Sequence, residues 1–164
     1  MILAFLNEVS FRKKFLSVLV FLLITSFSFS QNCSAELTVE KDRNARSADQ
    51  DGTEFWMTLS NTSSSTHSYS ISTINLKESC ASKNRMSDSP NVNLNVSVVV
   101  DKATSNSISL RSGETKKFKV AVSVPKGTAS NSWSCIEVQA QAEQCSAVVA
   151  TALLKVYVPG SLDE

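Results

Sequence analysis

The feature that most constrains this chain is a strict two-residue alternation. Val92-Asn-Leu-Asn-Val-Ser-Val98 places an apolar side chain at every second position and a polar one between. Lys117-Phe-Lys-Val-Ala-Val-Ser-Val124 repeats the pattern, with Phe118, Val120, Val122 and Val124 on one side. Successive side chains of a strand point to opposite faces, so this period belongs to strands with one buried and one wet face. No segment beyond the first thirty residues carries a convincing helical period.

Those first thirty residues are of a different kind. Arg12, Lys13 and Lys14 precede the apolar run Phe15 to Ile24, which gives way to Thr25-Ser-Phe-Ser-Phe-Ser30 and then Gln31. Positive charge, apolar core and small residues, in that order, make a secretory signal peptide, and cleavage is expected between Ser30 and Gln31. A spanning anchor needs about 20 mainly apolar residues, more than Phe15 to Ile24 supplies. Lipid attachment at Cys33 is disfavoured by the bulky Gln31-Asn32 before it. Met1 to Val9 sets apolar residues and Glu8 ahead of the positive charges, so translation is expected to begin near Val9. The reading is residues 1–30 as leader, 31–52 as a first strand and linking loop, 53–158 as the rest of one sandwich, and 159–164 as a tail.

The leader takes three of the 16 basic residues and one of the 15 acidic ones, leaving the remainder close to neutral. Such a balance gives no attraction to nucleic acid or to anionic lipid. Lys116, Lys117 and Lys119 read as the solvated face of a strand. Cys33, Cys80, Cys135 and Cys145 all follow the leader, and an even count in an oxidising compartment reads as two disulfides. Zinc is the rival, but no C-x-x-C spacing occurs and His67 is the one histidine.

Strands are expected at 36–40, 54–60, 68–74, 92–98, 117–124, 133–141 and 147–158, with a short edge piece at 108–110. Turn signals separate them, among them Asp51-Gly52, Asn61 to Thr66, Pro125-Lys-Gly127 and Pro159-Gly160. Lys41 to Asp51 reads as a charged loop, and Ser79 to Asn91 as the longest one. Seven main strands at this spacing make an all-β sandwich.

Two runs carry a resemblance. Asn61-Thr62, after Phe55 to Leu59, resembles the "ltNtg" turn of bacterial immunoglobulin-like domains. Ser112-Gly-Glu-Thr, then Phe118 to Val124, then Pro125-Lys-Gly, resembles their "pGe" turn, alternating strand and closing proline turn. Trp133 to Gln141 with Leu153 to Val158 is similar to their closing hairpin. The group includes the α-galactosidase-associated and cell-adhesion-related repeat domains, and the likeness runs over roughly residues 50 to 158. The leader in turn resembles those of Bacteroidota, whose exported proteins often begin with Gln. The resemblance implies a seven-strand immunoglobulin-like sandwich and an accessory role. In such a sandwich the third and sixth strands are neighbours, which implies Cys80–Cys135 at one end and Cys33–Cys145 at the other.

The candidate chemistry is sparse. His67 lies in a serine-rich turn with no G-x-S-x-G nucleophile turn anywhere, and reads as a surface residue rather than a general base. Asp49, Asp51 and Glu54 are a weak calcium candidate that reads as a plain turn. Trp56, Trp133, Tyr69 and Tyr157 could stack sugars, although Trp133 is expected against the Cys80–Cys135 disulfide. The last strand is apolar on both faces, and Val149, Leu153 and Tyr157 are its candidate partner surface. The expected function is an exported, non-catalytic structural or protein-binding module of the periplasm or cell surface, with an envelope or surface protein as partner. A small carbohydrate-binding module is the alternative, and an exported hydrolase a distant third. No cofactor, nucleic acid or membrane-spanning segment after cleavage is expected. Intact mass of the exported protein is expected to place its first residue at Gln31. Peptide mapping under non-reducing conditions is expected to join Cys80 to Cys135, and any other partner for Cys80 would refute the strand order.

Overall fold

The computed structural model describes residues 33–78, 91–145 and 147–160. The leader, the cleavage site, Cys80, most of the long loop and the end of the tail lie outside them. Among the described residues there are ten strands and no α-helix. They are β1 (Ala35–Val39), β2 (Ala45–Ser47), β3 (Thr53–Asn61), β4 (His67–Leu76), β5 (Asn95–Val100), β6 (Ala103–Thr104), β7 (Ser107–Leu110), β8 (Thr115–Ser123), β9 (Ser132–Ala142) and β10 (Ala147–Val158). One sheet runs β1-β3-β8-β5-β6 and the other β2-β10-β9-β4-β7.

The alternation builds the space between the sheets. Phe55, Met57 and Leu59 of β3 and Phe118, Val120 and Val122 of β8 point inward from the first sheet. Tyr69 and Ile71 of β4, Ile136, Val138 and Ala140 of β9, and Leu154 and Val156 of β10 meet them from the second. Fully burying one such large apolar side chain stabilises the fold by roughly 1.5–3 kcal/mol.

Three additions bring the expected seven main strands to ten. The edge piece at 108–110 is a full partner of β4, as β7. The supposed loop Lys41–Asp51 contains a 3₁₀ turn at Glu40–Asp42 and then β2, which pairs parallel with β10. All three β2 residues are exposed, so no alternation announces it. Its hold comes from backbone bonds and from the Arg46 guanidinium, 5.5 Å over the Phe55 ring. β6 is only two residues long, returning through Asp101 and Lys102, both at positive φ as a tight hairpin turn requires. The likeness to an immunoglobulin-like sandwich survives these additions: β4 and β9 are neighbours, and β9 and β10 form the closing hairpin.

Two buried or half-buried asparagines stitch the sheets together, one at each end of β4. At the end of β3, the Asn61 side-chain amide donates to the carbonyls of Ser65, Leu110 and Arg111 at 2.7, 3.1 and 3.1 Å. Its oxygen accepts from the Ser63 amide and hydroxyl. The Asn61 backbone accepts from Gly113 N–H and donates to Glu114. The two turns that carry the family resemblance, Asn61-Thr62 and Ser112-Gly-Glu, are thus bonded to each other, and the Ser112 hydroxyl adds a bond to the Ser63 carbonyl. Gly113 sits at φ +72°, which favours glycine. At the other end of β4, Asn75 donates to the Leu94 carbonyl and accepts from the Leu94 amide, tying the second sheet to the start of β5.

Asn61 is 1% exposed, so removing its amide leaves buried partners unmet. Asn61→Ala is expected to lower the unfolding free energy by about 3 kcal/mol in a urea titration, with Asn61→Asp no better than partial rescue, because a carboxylate cannot donate to the three carbonyls.

Candidate functional site

The chemically richest cluster of described residues lies where the chain enters β1. Cys33 and Cys145 are joined by a disulfide with Cα atoms 6.3 Å apart. The bond links the approach to β1, an edge of the first sheet, to the β9–β10 turn of the second. His67, the first residue of β4, sits beneath it. Its Nδ1 is 3.9 Å from Cys33 Sγ and 3.3 Å from Gln144 Oε1. The ring meets Tyr69 edge-on at 6.2 Å between centroids. His67 is 2% exposed, which corrects the surface reading made from its serine-rich neighbours. It begins the inward parity of β4, ahead of Tyr69 and Ile71, and the disulfide roofs it. Its Nε2 is buried without a hydrogen-bond partner among the described residues. The base of a serine hydrolase needs an orienting carboxylate and a nearby nucleophile. Among the described residues, the polar side-chain contacts of His67 are to Gln144 and a disulfide sulfur.

The second expected bridge falls partly outside the described residues, since Cys80 does. Cys135 is fully buried and stands in register with Leu76, the last residue of β4. Its neighbours Ser134 and Ile136 are buried on the inward parity of β9, so Cys135 is on the outward parity and yet covered.

The four candidate stacking aromatics do not form a row. Tyr69 is in the core, its hydroxyl donating to the Ser34 carbonyl at 3.3 Å. Trp133 packs on Tyr157 across the closing hairpin, with centroids 5.1 Å apart and rings tilted by 45°. The Tyr157 hydroxyl donates to Asn131 Oδ1, which also accepts from the Gly160 amide. Trp56, 43% exposed, lies on the outer face of the first sheet with Lys119 Nζ 5.4 Å above its ring.

The charged candidates are spoken for. Lys116, Lys117 and Lys119 pair with Asp101, Glu40 and Glu54 at 2.7, 3.0 and 2.9 Å. Lys117 holds the Glu40 carboxyl below its ordinary range, mainly through their hydrogen bond. Of the calcium candidates, Asp49 accepts from the Asp51 amide, closing a turn, and Glu54 is the partner of Lys119. Asp51 and Glu54 line an open groove of about 320 Å³ with Ser97 and Ser123. Among the described residues no three metal-binding side chains come together.

On β10, the candidate trio Val149, Leu153 and Tyr157 does not share a face. The register slips between Val148 and Ala150, so Val149 is the extra residue of a bulge and packs against the core. Beyond the bulge, Leu153 and Tyr157 lie opposite Glu137 and Trp133 on the outward parity. Ile74 of β4 completes the Leu153–Glu137 row and is 44% exposed, and Val148 is 47% exposed. Ile74 carries little sequence signal of its own, since it is a single apolar residue between Ser72-Thr73 and Asn75.

The two-sheet arrangement has counterparts among solved structures. A family 123 glycoside hydrolase from Clostridium perfringens aligns at 10% identity and a TM-score of 0.52, over 81% of this chain and 28% of that one. The PapD-like domain 7 of human CEP192 aligns at 10% identity and 0.43, over 79% of this chain and 88% of that one. The periplasmic chaperone SfaE aligns at 10% and 0.44, over 78% and 59%. This chain spans little more than a quarter of the hydrolase, and likeness at this level shows a β-sandwich fold and nothing of activity. No family model and no curated protein matches the sequence. Among the described residues no helix is long and apolar enough to cross a membrane.

Burial raises the Tyr69 phenol above its ordinary value, the Ser63 hydroxyl offsetting part of the shift. The folded state therefore favours the neutral phenol. Its contribution is fully present below about pH 10 and is lost as pH rises through the raised folded value. Tyr69→Phe is expected to flatten the alkaline decline in stability relative to the parent, measured as denaturation midpoints between about pH 9 and 11.

Proposed function

We propose that the chain is an exported, non-catalytic immunoglobulin-like module that docks a protein partner in the periplasm or at the cell surface. The observation that carries this reading is the outer face of the second sheet. Ile74 and Leu153 flank Glu137 in one register row, with the Trp133–Tyr157 pair at one end and exposed Val148 at the other. Apolar side chains set across three strands with polar neighbours fit a protein interface. The leader-like residues 1–30 and the Cys33–Cys145 bond support an oxidising compartment outside the cytoplasm. Cys80–Cys135 is the second bridge in this reading, and the cover over outward-facing Cys135 supports it.

A glycan-binding role is the second reading. It draws on Trp56, an exposed aromatic of the first sheet, but Lys119 lies over that ring and no second exposed aromatic extends the platform among the described residues. Cross-linking in the native envelope followed by tagged pull-down separates the two. One stoichiometric envelope protein is expected with the parent chain, and at least a tenfold loss with Ile74→Glu/Leu153→Lys, while Trp56→Ala leaves recovery unchanged. Loss with Trp56→Ala alone, together with retention on a polysaccharide array, would transfer the function to the first sheet.

A further inference from the structure

Resting on the docking face proposed above, we propose that Glu137 selects the partner: the protein covering this face sets a lysine or arginine side chain, bordered by apolar ones, over the Glu137 carboxylate. Glu137 lies on β9, between β10 and β4 in the second sheet. Its register neighbours are Leu153 on one side and Ile74 on the other, so its carboxylate rises from an apolar row. Glu137 and Leu153 are half-buried, and Ile74 is exposed. The Gln139 side-chain amide donates one hydrogen bond to Glu137. A carboxylate has about four acceptor positions, so most remain open. Among the described residues the ion pairs are those of Lys116, Lys117 and Lys119 on β8, and Glu137 takes part in none.

Docking turns this arrangement into a constraint. A surface that covers Ile74 and Leu153 also removes water from the acid between them. A neutral apolar surface would leave a desolvated charge, and an acidic one would add repulsion. A facing ammonium or guanidinium instead forms a charge-assisted hydrogen bond in a water-poor setting. The same group thus admits one kind of partner and rejects two others. The first sheet meets the same need within the chain, since Glu54 of β3 is held by Lys119 of β8.

Lys155 is the chain's own candidate for that cation. It shares the outward parity but lies in the next row, opposite Cys135, and makes no ion pair with Glu137. Its long stem lets the ammonium stay in water at the margin of a covered face. Glu137, on a shorter stem between two apolar neighbours, has no such route.

The probe is the protein captured from the native envelope by the parent chain, purified and titrated against variants shown by thermal unfolding to be folded. Glu137→Gln keeps the shape and removes the charge. It is expected to weaken binding about tenfold or more, and Glu137→Lys about a hundredfold. Changing the partner's basic residues to glutamate one at a time is expected to find one whose loss Glu137→Lys restores to within about tenfold of the parent pair. Lys155→Met is expected to bind within about threefold of the parent. Equal binding by Glu137→Gln, the lack of any basic residue that Glu137→Lys rescues, or a loss with Lys155→Met matching that of Glu137→Gln overturns the proposal. Where no protein is captured, or capture survives Ile74→Glu/Leu153→Lys, the docking face itself fails and this proposal with it. Where the double variant loses capture and Glu137→Gln does not, only the selection of a cation fails.

Discussion

The amide of Asn61 is the contact on which the arrangement of the two sheets rests. It belongs to the last residue of a first-sheet strand, yet its donors go to carbonyls at the end of β7 in the second sheet. Backbone groups at strand ends have no ladder partner, and buried ones must find a substitute. One side chain meets that need for Leu110, Arg111 and Ser65 together, while its oxygen serves Ser63. Asn75 does the same work at the far end of β4 with Leu94. Between these two ties the core needs only complementary shape, and the alternating valines, phenylalanines and leucines supply it.

What could be read in the residues follows from where each signal is stored. β3, β4, β8, β9 and β10 declare themselves because half of their side chains are buried, and burial writes an alternation. β2 and β6 do not, because a strand held by backbone bonds with its side chains in water leaves no hydrophobic record. The bulge at Val149 was equally silent. A run of small and branched apolar residues from Ala147 to Leu154 reads the same with or without an extra residue, and only pairing with β9 reveals the slip. Within the site, the Cys33–Cys145 pairing is the one that the strand order of the resembled immunoglobulin-like sandwich implies. The burial of His67 did not, since serines on both sides masked a position whose parity matches Tyr69 and Ile71.

The outer faces divide the labour of the surface. On the outer face of the first sheet Lys117 and Lys119 of β8 have each found an acid on a neighbouring strand or turn, so the face is charged but locally balanced. Exposed pairs of this kind contribute little to stability. They do keep an exposed edge-to-face surface from sticking to itself, because a partner sheet would have to desolvate them. The second sheet has no comparable set of ion pairs among its described outer residues, and carries Ile74, Leu153 and Val148 instead.

The position of the disulfide also decides how the sandwich would bear tension. A pull applied upstream of Cys33 crosses the covalent bond to Cys145 and leaves along β10. The whole span between them, 112 positions in sequence separation, is outside the loaded path. β10 is gripped on one side by antiparallel β9 and on the other by parallel β2, and the pull runs along its axis. Since the load enters and leaves at the two ends of a strand that is already extended, no ladder bond has to break for it to be carried. Opening the bond sends the same load first through β1 and then β2, both short and both at sheet edges. Two sulfur atoms thus separate a domain that the load bypasses from one that peels from its N-terminal side.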